Sequence, residues 1–516
     1  MGGRRCYLSA RAAAAYRAKG ERGDPWLLAV CSDVGRRYRR RLVLLKLDSD
    51  DADAAAVAAP RTASINGWTT PPEAPGPRRL RFDSSEPATR LTHQLFRFPA
   101  KFHPPVVRRL IADYTEPGER ILDIFCGSGT LLVEASVSDR HAVGFDVDPL
   151  SVFLSRTKSQ PLDVCELRDV ADRLLVRCDV LARSDDEYHQ RMHDDLDDEE
   201  LVSQLADLEA PAIPNLTHWF RRYVIVDLAR LRHEIDTLKA SSGVVDALRL
   251  AFASIIRGAS NADPVPVSGL ERTKHMLERD TAGRIVNPFT LFRRRLRLAL
   301  RDFEEYEDQR SGMSVCRAQR ADATEPLPLG KHEPAGAALT SPPYHGAVDY
   351  YRRHQLEMFW LGLTRTQQDR LALLNGYLGR PHVPQRHRFV RNRELAIWPS
   401  AAACERDMRE QAPRRADEFR HYCVGMARAF QRLADVLPPE APAIFIVGHS
   451  RWNGEELHTS RLFSELAGPA FELDEGLWYP VKNRHMSYGR HNGANIDREF
   501  VLVFRRTTDA AAIDPA

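Results

Sequence analysis

"ERILDIFCGSGTLLVEA" (Glu119–Ala135) is the stretch on which the fold turns. An aliphatic run ends in an aspartate, two glycines follow one residue apart, and apolar residues resume at helical spacing. The stretch reads as a buried strand through Phe125, a tight turn and the start of a helix. Gly127 and Gly129 would let the backbone approach a ligand over the strand's carboxyl end, beside a helix N-terminus. The third glycine of a nicotinamide-binding G-x-G-x-x-G would fall at Leu132, and no Gly-Lys-Ser/Thr follows for a phosphate loop. A plain turn remains the alternative on this stretch alone.

The next segment, "HAVGFDVDPLSVFLSRTK" (His141–Lys158), repeats the design with a short strand, an acidic end and a helix. Asp146 at that strand's end is placed to accept hydrogen bonds from both hydroxyls of a ribose. Asp148 reads as the cap of the following helix, and capping by both aspartates is the competing reading. Further strand-like runs occur in "SVCRAQRADAT", "AGAALTSPPY", "APAIFIVGHS" and "REFVLVFRR". Buried strands alternating with helices predict an α/β class, a doubly wound Rossmann-like parallel sheet. Residues 161–309 break the alternation with helical periodicity, as in "VVDALRLAFASIIRGAS", and read as a mainly helical insertion.

The expected organisation is therefore an N-terminal extension (1–88, partly a disordered linker rich in Ala, Pro, Asp and Thr) and a first α/β part (89–160). The helical insertion (161–309), a second α/β part (310–506) and a disordered tail (507–516) follow. The chain has 516 residues, 43% hydrophobic and 28% charged, with a net charge of +3. Nothing reaches membrane-spanning length and the start lacks a leader's apolar core, so a cytoplasmic, non-membrane protein is expected. Eight scattered cysteines without a C-x-x-C pair argue for reduced thiols and against structural zinc.

"TSPPY" (Thr340–Tyr344) ends a strand with two consecutive prolines. Both have fixed φ and no N–H, so the carbonyls around Ser341 and Pro342 are held as a rigid set of acceptors. Such a set suits an aromatic amine, whose lone pair is otherwise delocalised into its ring. Accepting hydrogen bonds from its N–H groups frees that lone pair, and fixed dipoles stabilise the positive charge that develops on nitrogen. Tyr344 could stack on a base turned out of its helix. A proline-stiffened loop with no chemical role is the bland alternative.

Taken in order, "HQLFRFPAKFHPPVVRRLI", "ILDIFCGSGTLLVEA", "VGFDVDP" and "TSPPY" resemble the amino-directed DNA methyltransferases, over about residues 89–160 and 310–506. The resemblance implies a flipped base in DNA and S-adenosyl-L-methionine as methyl donor, with cytosine N4 favoured over adenine N6 by the serine at 341. Ser341, Pro342, Pro343 and Tyr344 match the catalytic tetrapeptide. Phe102 falls in the segment lining the methionine end. Asp123, Phe125, Gly127, Ser128 and Gly129 match the methionine-binding loop, Asp146 the ribose ligand and Asp322 the polar residue near adenine. It also leaves room for a restriction or defence partner. Rival readings are an RNA methyltransferase acting on guanine N2 and a nucleic-acid-binding protein on an inactive scaffold. No Pro-Cys dipeptide supports the C5-cytosine route.

Target recognition is expected from the insertion, through Arg293, Arg294, Arg295 and Arg297. Arg352, Arg353, Arg386 and Arg388 are further candidates for phosphate contact. His189 and His193 lie four apart in an acidic run and read as solvated, so no metal site is expected. Leu356, Phe359, Trp360, Trp219 and Phe220 read as core.

Overall fold

The computed structural model describes residues 78–82, 89–99, 101–264, 270–330, 334–345, 350–379, 395, 397–452, 455–481 and 498–508. Its centre is an eight-stranded sheet in the order β1-β9-β10-β6-β5-β2-β3-β4. The strands are β1 (Arg78–Arg79), β2 (Arg120–Asp123), β3 (His141–Asp146), β4 (Cys316–Arg320), β5 (Ala337–Thr340), β6 (Pro442–Val447), β9 (Phe471–Pro480) and β10 (Arg498–Arg506). A separate hairpin pairs β7 (Ser450–Trp452) with β8 (Glu455–Leu457). Strands β4, β3, β2, β5 and β6 run parallel, and β10 is antiparallel to both β6 and β9.

The connections explain why a crevice opens where it does. From β2 the chain steps outward to β3 and then β4, and it returns on the other side of β2 as β5. The loops leaving β2 and β5 therefore diverge at a topological switch point, where open α/β sheets bind their ligands. This is the doubly wound sheet that the alternating pattern predicted. Strand β2 ends at Asp123, two residues before the expected Phe125, because the chain is already turning: Phe125 N–H bonds the Asp123 carboxylate.

Each face of the sheet has its own core. One face packs Ile121, Leu339, Ile444, Val501 and Val503 against α1 (Pro104–Tyr114) and α2 (Thr130–Ser136). Residues of the other face, including Leu122, Val143, Phe145 and Phe504, meet the later helices. Helix α3 (Pro149–Ser159) follows β3, starting at Pro149 with the Asp148 carboxylate capping Leu150 N–H at 2.8 Å, the cap expected from sequence.

The insertion is helical, as its periodicity predicted. Its long helices are α4 (Val164–Leu181), α5 (Arg222–Asp236), α6 (Ser242–Ala259) and α7 (Pro288–Gln309), with four shorter helices between them among the described residues. They enclose Leu174, Tyr223, Phe252, Phe292 and Phe303 in one core, which also takes Leu356 and Trp360 of α8 (Tyr350–Trp360). Tyr306 of α7 ties the insertion to the sheet, donating to Ser159 O at 2.7 Å and lying 2.8 Å from Ser136 Oγ. The remaining labelled helices are α9 (Gln367–Gly376), α10 (Pro399–Gln411), α11 (Pro413–Val436) and α12 (Thr459–Leu466).

One difference concerns the expected linker. Arg78 and Arg79 form an edge strand parallel to β9, Leu80 N–H bonds Trp478 O at 2.8 Å, and Leu80 is buried. The flanking prolines and glycine mask a three-residue run that the sheet edge and an apolar cluster capture. Among the described residues, no helix is long and apolar enough to cross a membrane.

Candidate active site

The glycine loop is held open by left-handed geometry that favours glycine. Gly127 and Gly129 have φ of +47° and +79°. A Cβ on Gly129 would lie 2.7 Å from Ser155 Cα, so α3 passes directly against the loop. That helix also fixes the loop's carbonyls. Ser155 Oγ donates to Gly127 O at 2.9 Å, and Lys158 Nζ donates to Ser128 O at 2.5 Å. Lys158 is fully buried, and burial pushes its amine well below the ordinary lysine range.

Two carboxylates border the loop. Asp146 accepts Gly127 N–H on one oxygen and Asp148 N–H on the other, both at 2.9 Å. Burial, reinforced by the charge of Asp148, raises its pKa to about 7. Asp123 is buried at the end of β2, and Oδ1 accepts Thr340 Oγ1–H at 2.7 Å and Phe125 N–H at 3.2 Å. Burial raises it to about 7 as well, against the opposing effect of those two bonds. The Asp123 Oδ2 and Ser128 Oγ atoms are buried without a hydrogen-bond partner.

The Thr340–Asp123 bond carries the argument across the switch point. Strands β2 and β5 are neighbours, and Thr340 is the last residue of β5. The tetrapeptide Ser341–Tyr344 thus leaves the sheet one strand away from the glycine loop. Pro342 is buried, while Ser341, Pro343 and Tyr344 are partly so. Tyr344 donates to Glu499 Oε1 at 3.2 Å, and Tyr479 bonds the other oxygen of the same carboxylate. Burial, with the Glu499 charge second, raises the Tyr344 phenol far above its usual range. An apolar recess opens beside Tyr344, lined also by His345, Phe419, Tyr422, His458 and Thr459.

Other expected residues are distributed as follows. Asp322 lies just beyond β4, and its Oδ1 accepts from Thr324 N at 2.9 Å and Thr324 Oγ1 at 2.8 Å. Phe125 is partly buried against the core that includes Leu122, Val143 and Phe145. Phe102, expected at the methionine end, is 8% exposed and packs with Val106 and Leu110. The aromatic over the loop is Phe98, whose ring would lie 3.4 Å from a Gly127 Cβ. It stacks on His354 (5.2 Å, 18°) and Tyr350 (5.7 Å, 25°) of α8. Phe102 lies just before the start of α1 and joins its apolar cluster.

The four arginines of α7 do not form one surface. Arg294 and Arg297 are exposed, Arg293 pairs with Asp179, and Arg295 faces inward beside Gln94, Ser254 and Asp302. At 100° per residue, consecutive arginines cannot share a helix face. Arg352 is half-exposed 3.6 Å from Glu271, and the Arg353 carbonyl accepts from Arg257 at 2.6 Å. Arg386 and Arg388 lie outside the described residues. His189 and His193 are exposed, and the described residues hold no group of three metal-ligating side chains. Leu356, Phe359, Trp360 and Phe220 are buried, as read from sequence, and Trp219 packs partly exposed against the insertion core.

Sequence reasoning passed over Thr340, Ser155, Lys158, Glu499 and Tyr479. It also missed the segment following α9. Tyr377 is buried there, and Gly379 (φ +71°) comes so close that a Cβ would stand 3.0 Å from Tyr344 O. At the last residue of α9, where the segment begins, a Cβ on Gly376 would stand 3.7 Å from Asp322 Oδ2. It therefore spans the crevice from the Asp322 end to the tetrapeptide.

Comparison with known proteins agrees with this arrangement. A family model described as DNA methylase, of the N6/N4 type, matches residues 60–152. The type II methyltransferase M.MvaI of Kocuria varians is 22% identical over 385 residues, 73% of this chain and 81% of that protein. M.AvaI of Nostoc sp. is 22% identical over 443 residues, 80% and 86% of the two chains. M.MjaII of Methanocaldococcus jannaschii is 27% identical over 117 residues, and that match spans 22% of either chain. With the glycine loop inside the matched segment and the tetrapeptide one strand away, the chain is similar to the amino-directed DNA methyltransferases in both of its motifs.

Proposed function

We propose that this protein is a site-specific DNA methyltransferase acting on the exocyclic amino group of a flipped base, cytosine N4 in preference to adenine N6. The observation that carries this reading is the Thr340–Asp123 bond at the switch point, which joins the base of the glycine loop to the strand that delivers Ser341–Tyr344. S-adenosyl-L-methionine, when bound, supplies an electrophilic methyl group on a sulfonium.

The residues present fit that group. Asp146 keeps lone pairs for ribose hydroxyls after serving the two backbone N–H groups, and Asp322, just beyond β4, would serve the adenine. Asp123 Oδ2 and Ser128 Oγ are buried polar atoms with bonding capacity to spare. A carboxylate such as Asp123 suits the donor's cationic amino-acid end.

The chain's own part in the reaction is positioning and electrostatics. Carbonyls at Ser341 and Pro342 accept N–H bonds from the target amine and turn its lone pair outward. Tyr344 stacks on the extruded base. Duplex DNA would be held through phosphate contacts by exposed arginines such as Arg294, Arg297 and Arg352. A role beside a restriction or defence enzyme accords with the type II names of the relatives.

The test is methyl transfer from labelled donor to duplex DNA and to RNA in parallel, with the product nucleoside identified by mass spectrometry. N4-methylcytosine in DNA is expected. N6-methyladenine would keep the reaction and change the base, whereas label confined to RNA would overturn the reading.

A further inference from the structure

We infer that Glu499 is a positioning residue for methyl transfer, its carboxylate locking the orientation of the Tyr344 ring through the phenol hydroxyl. The inference rests on the proposed stacking of Tyr344 on the target base. Glu499 stands on β10 directly opposite Tyr479 of β9, and both tyrosine hydroxyls converge on its two oxygens. The first residues of β10 lie beside the carboxyl end of β6, with Phe500 opposite Val447. Tyr344, having left β5, thus bonds a strand two places away across the mouth of the crevice.

The surroundings make a purely structural role for this carboxylate expensive. Along β10 the neighbours on the same face are Val501 and Val503, both buried in an apolar cluster with Leu477 and Tyr479. Among the described residues no ion pair reaches Glu499, and a partly buried carboxylate without one is costlier there than an aliphatic side chain. Burial accordingly raises its pKa, and the two phenols are what oppose that rise.

A ring can stack on a base without a hydroxyl, so the hydroxyl of Tyr344 serves as a handle. Anchored at its far end, the ring is already in one orientation before a base arrives, and the ordering cost is met in advance. The anchor is itself braced. Tyr479 meets Phe82 edge-on (5.8 Å, 83°), and Phe82 lies 5.6 Å from His103 at the start of α1.

The experiment is a double-mutant cycle on the full-length chain with Tyr344→Phe, Glu499→Leu and the pair, with Glu499→Gln as the conservative variant. Readouts are kcat and KM for duplex methylation, plus fluorescence of 2-aminopurine at the target position with S-adenosylhomocysteine bound. Tyr344→Phe and Glu499→Leu are each expected to lower kcat about tenfold or more, the worth of a hydrogen bond to a charged group. The double variant should be no worse than either single one. Glu499→Gln, keeping one carbonyl acceptor, should recover part of the rate, and affinity for S-adenosylhomocysteine should stay within about twofold throughout. Multiplicative losses in the double variant would overturn the inference, as would full turnover by Tyr344→Phe, a measurement that holds even if Glu499→Leu fails to fold. Wild-type protein that methylates no DNA would instead sink the proposed function and this inference with it.

Discussion

Replacing Gly129 by alanine separates the two demands the glycine loop makes. The first is backbone conformation: at φ +79° an L residue costs about 1–2 kcal/mol. The second is space, since the new Cβ would stand 2.7 Å from Ser155 Cα, 2.9 Å from its Oγ and 3.0 Å from its Cβ. The nearest of these is a helix backbone atom that cannot swing aside, and Cβ moves only with it, so overpacking adds about 1–3 kcal/mol. Gly118 provides the matched control, with φ of +80° and nothing within 4 Å of an added methyl group. Gly118→Ala should therefore lose only the conformational share, about 1–2 kcal/mol in urea unfolding, and leave cofactor binding intact. Gly129→Ala should lose about 2–5 kcal/mol in total. Because a displaced Ser155 releases Gly127 O, its affinity for S-adenosylhomocysteine by calorimetry should fall about tenfold or more, equivalent to about 1.4 kcal/mol. Equal unfolding midpoints and equal affinities for the two variants would refute the reasoning.

Burial raises Asp123 and Asp146 to about 7, so the folded chain holds protons that the unfolded chain releases near pH 4. Their contribution to stability is then fully present below about pH 4, is lost as pH rises toward 7, and is flat above. A cationic donor reverses the preference for the protonated form; its affinity should rise between pH 6 and 8 with proton release, and calorimetry in buffers of different ionisation enthalpy showing neither would contradict this. Thr340→Val removes a buried bond to Asp123 and should cost about 1–3 kcal/mol in urea unfolding, with weaker cofactor binding at pH 7. Arg294→Ala and Arg297→Ala should each reduce the slope of log affinity for duplex DNA against log salt by about 0.9, while Arg295→Ala lowers the melting temperature and leaves the slope alone. Unchanged slopes in the first two would remove α7 from the DNA contact surface.

Local chemistry was legible in the sequence; long-range partnership was not. The glycine loop, Asp146 and the Asp148 cap each declare themselves within a few residues, because turn conformation and capping are short-range demands. The sheet followed from apolar runs such as "AIFIV", whose residues are all buried in β6. Thr340 and Glu499 gave no such signal. Their partners lie 217 and 155 residues away, and a single threonine or glutamate in a strand is commonplace by itself. Phe98 and Phe102 have equal claims by composition, and only the fold sets Phe98 against the loop. The arginines were a missed opportunity, since helix geometry alone separates Arg295 from Arg293 by roughly 200°.

The central claim is that the cofactor loop and the tetrapeptide serve one crevice. A crystal structure of the protein with S-adenosylhomocysteine and duplex DNA bearing its target site tests it most directly. The ribose should rest on Asp146, with the sulfur facing a base held between Tyr344 and the Ser341–Pro342 carbonyls. Cofactor or base bound on a surface away from the β2–β5 switch point would contradict it.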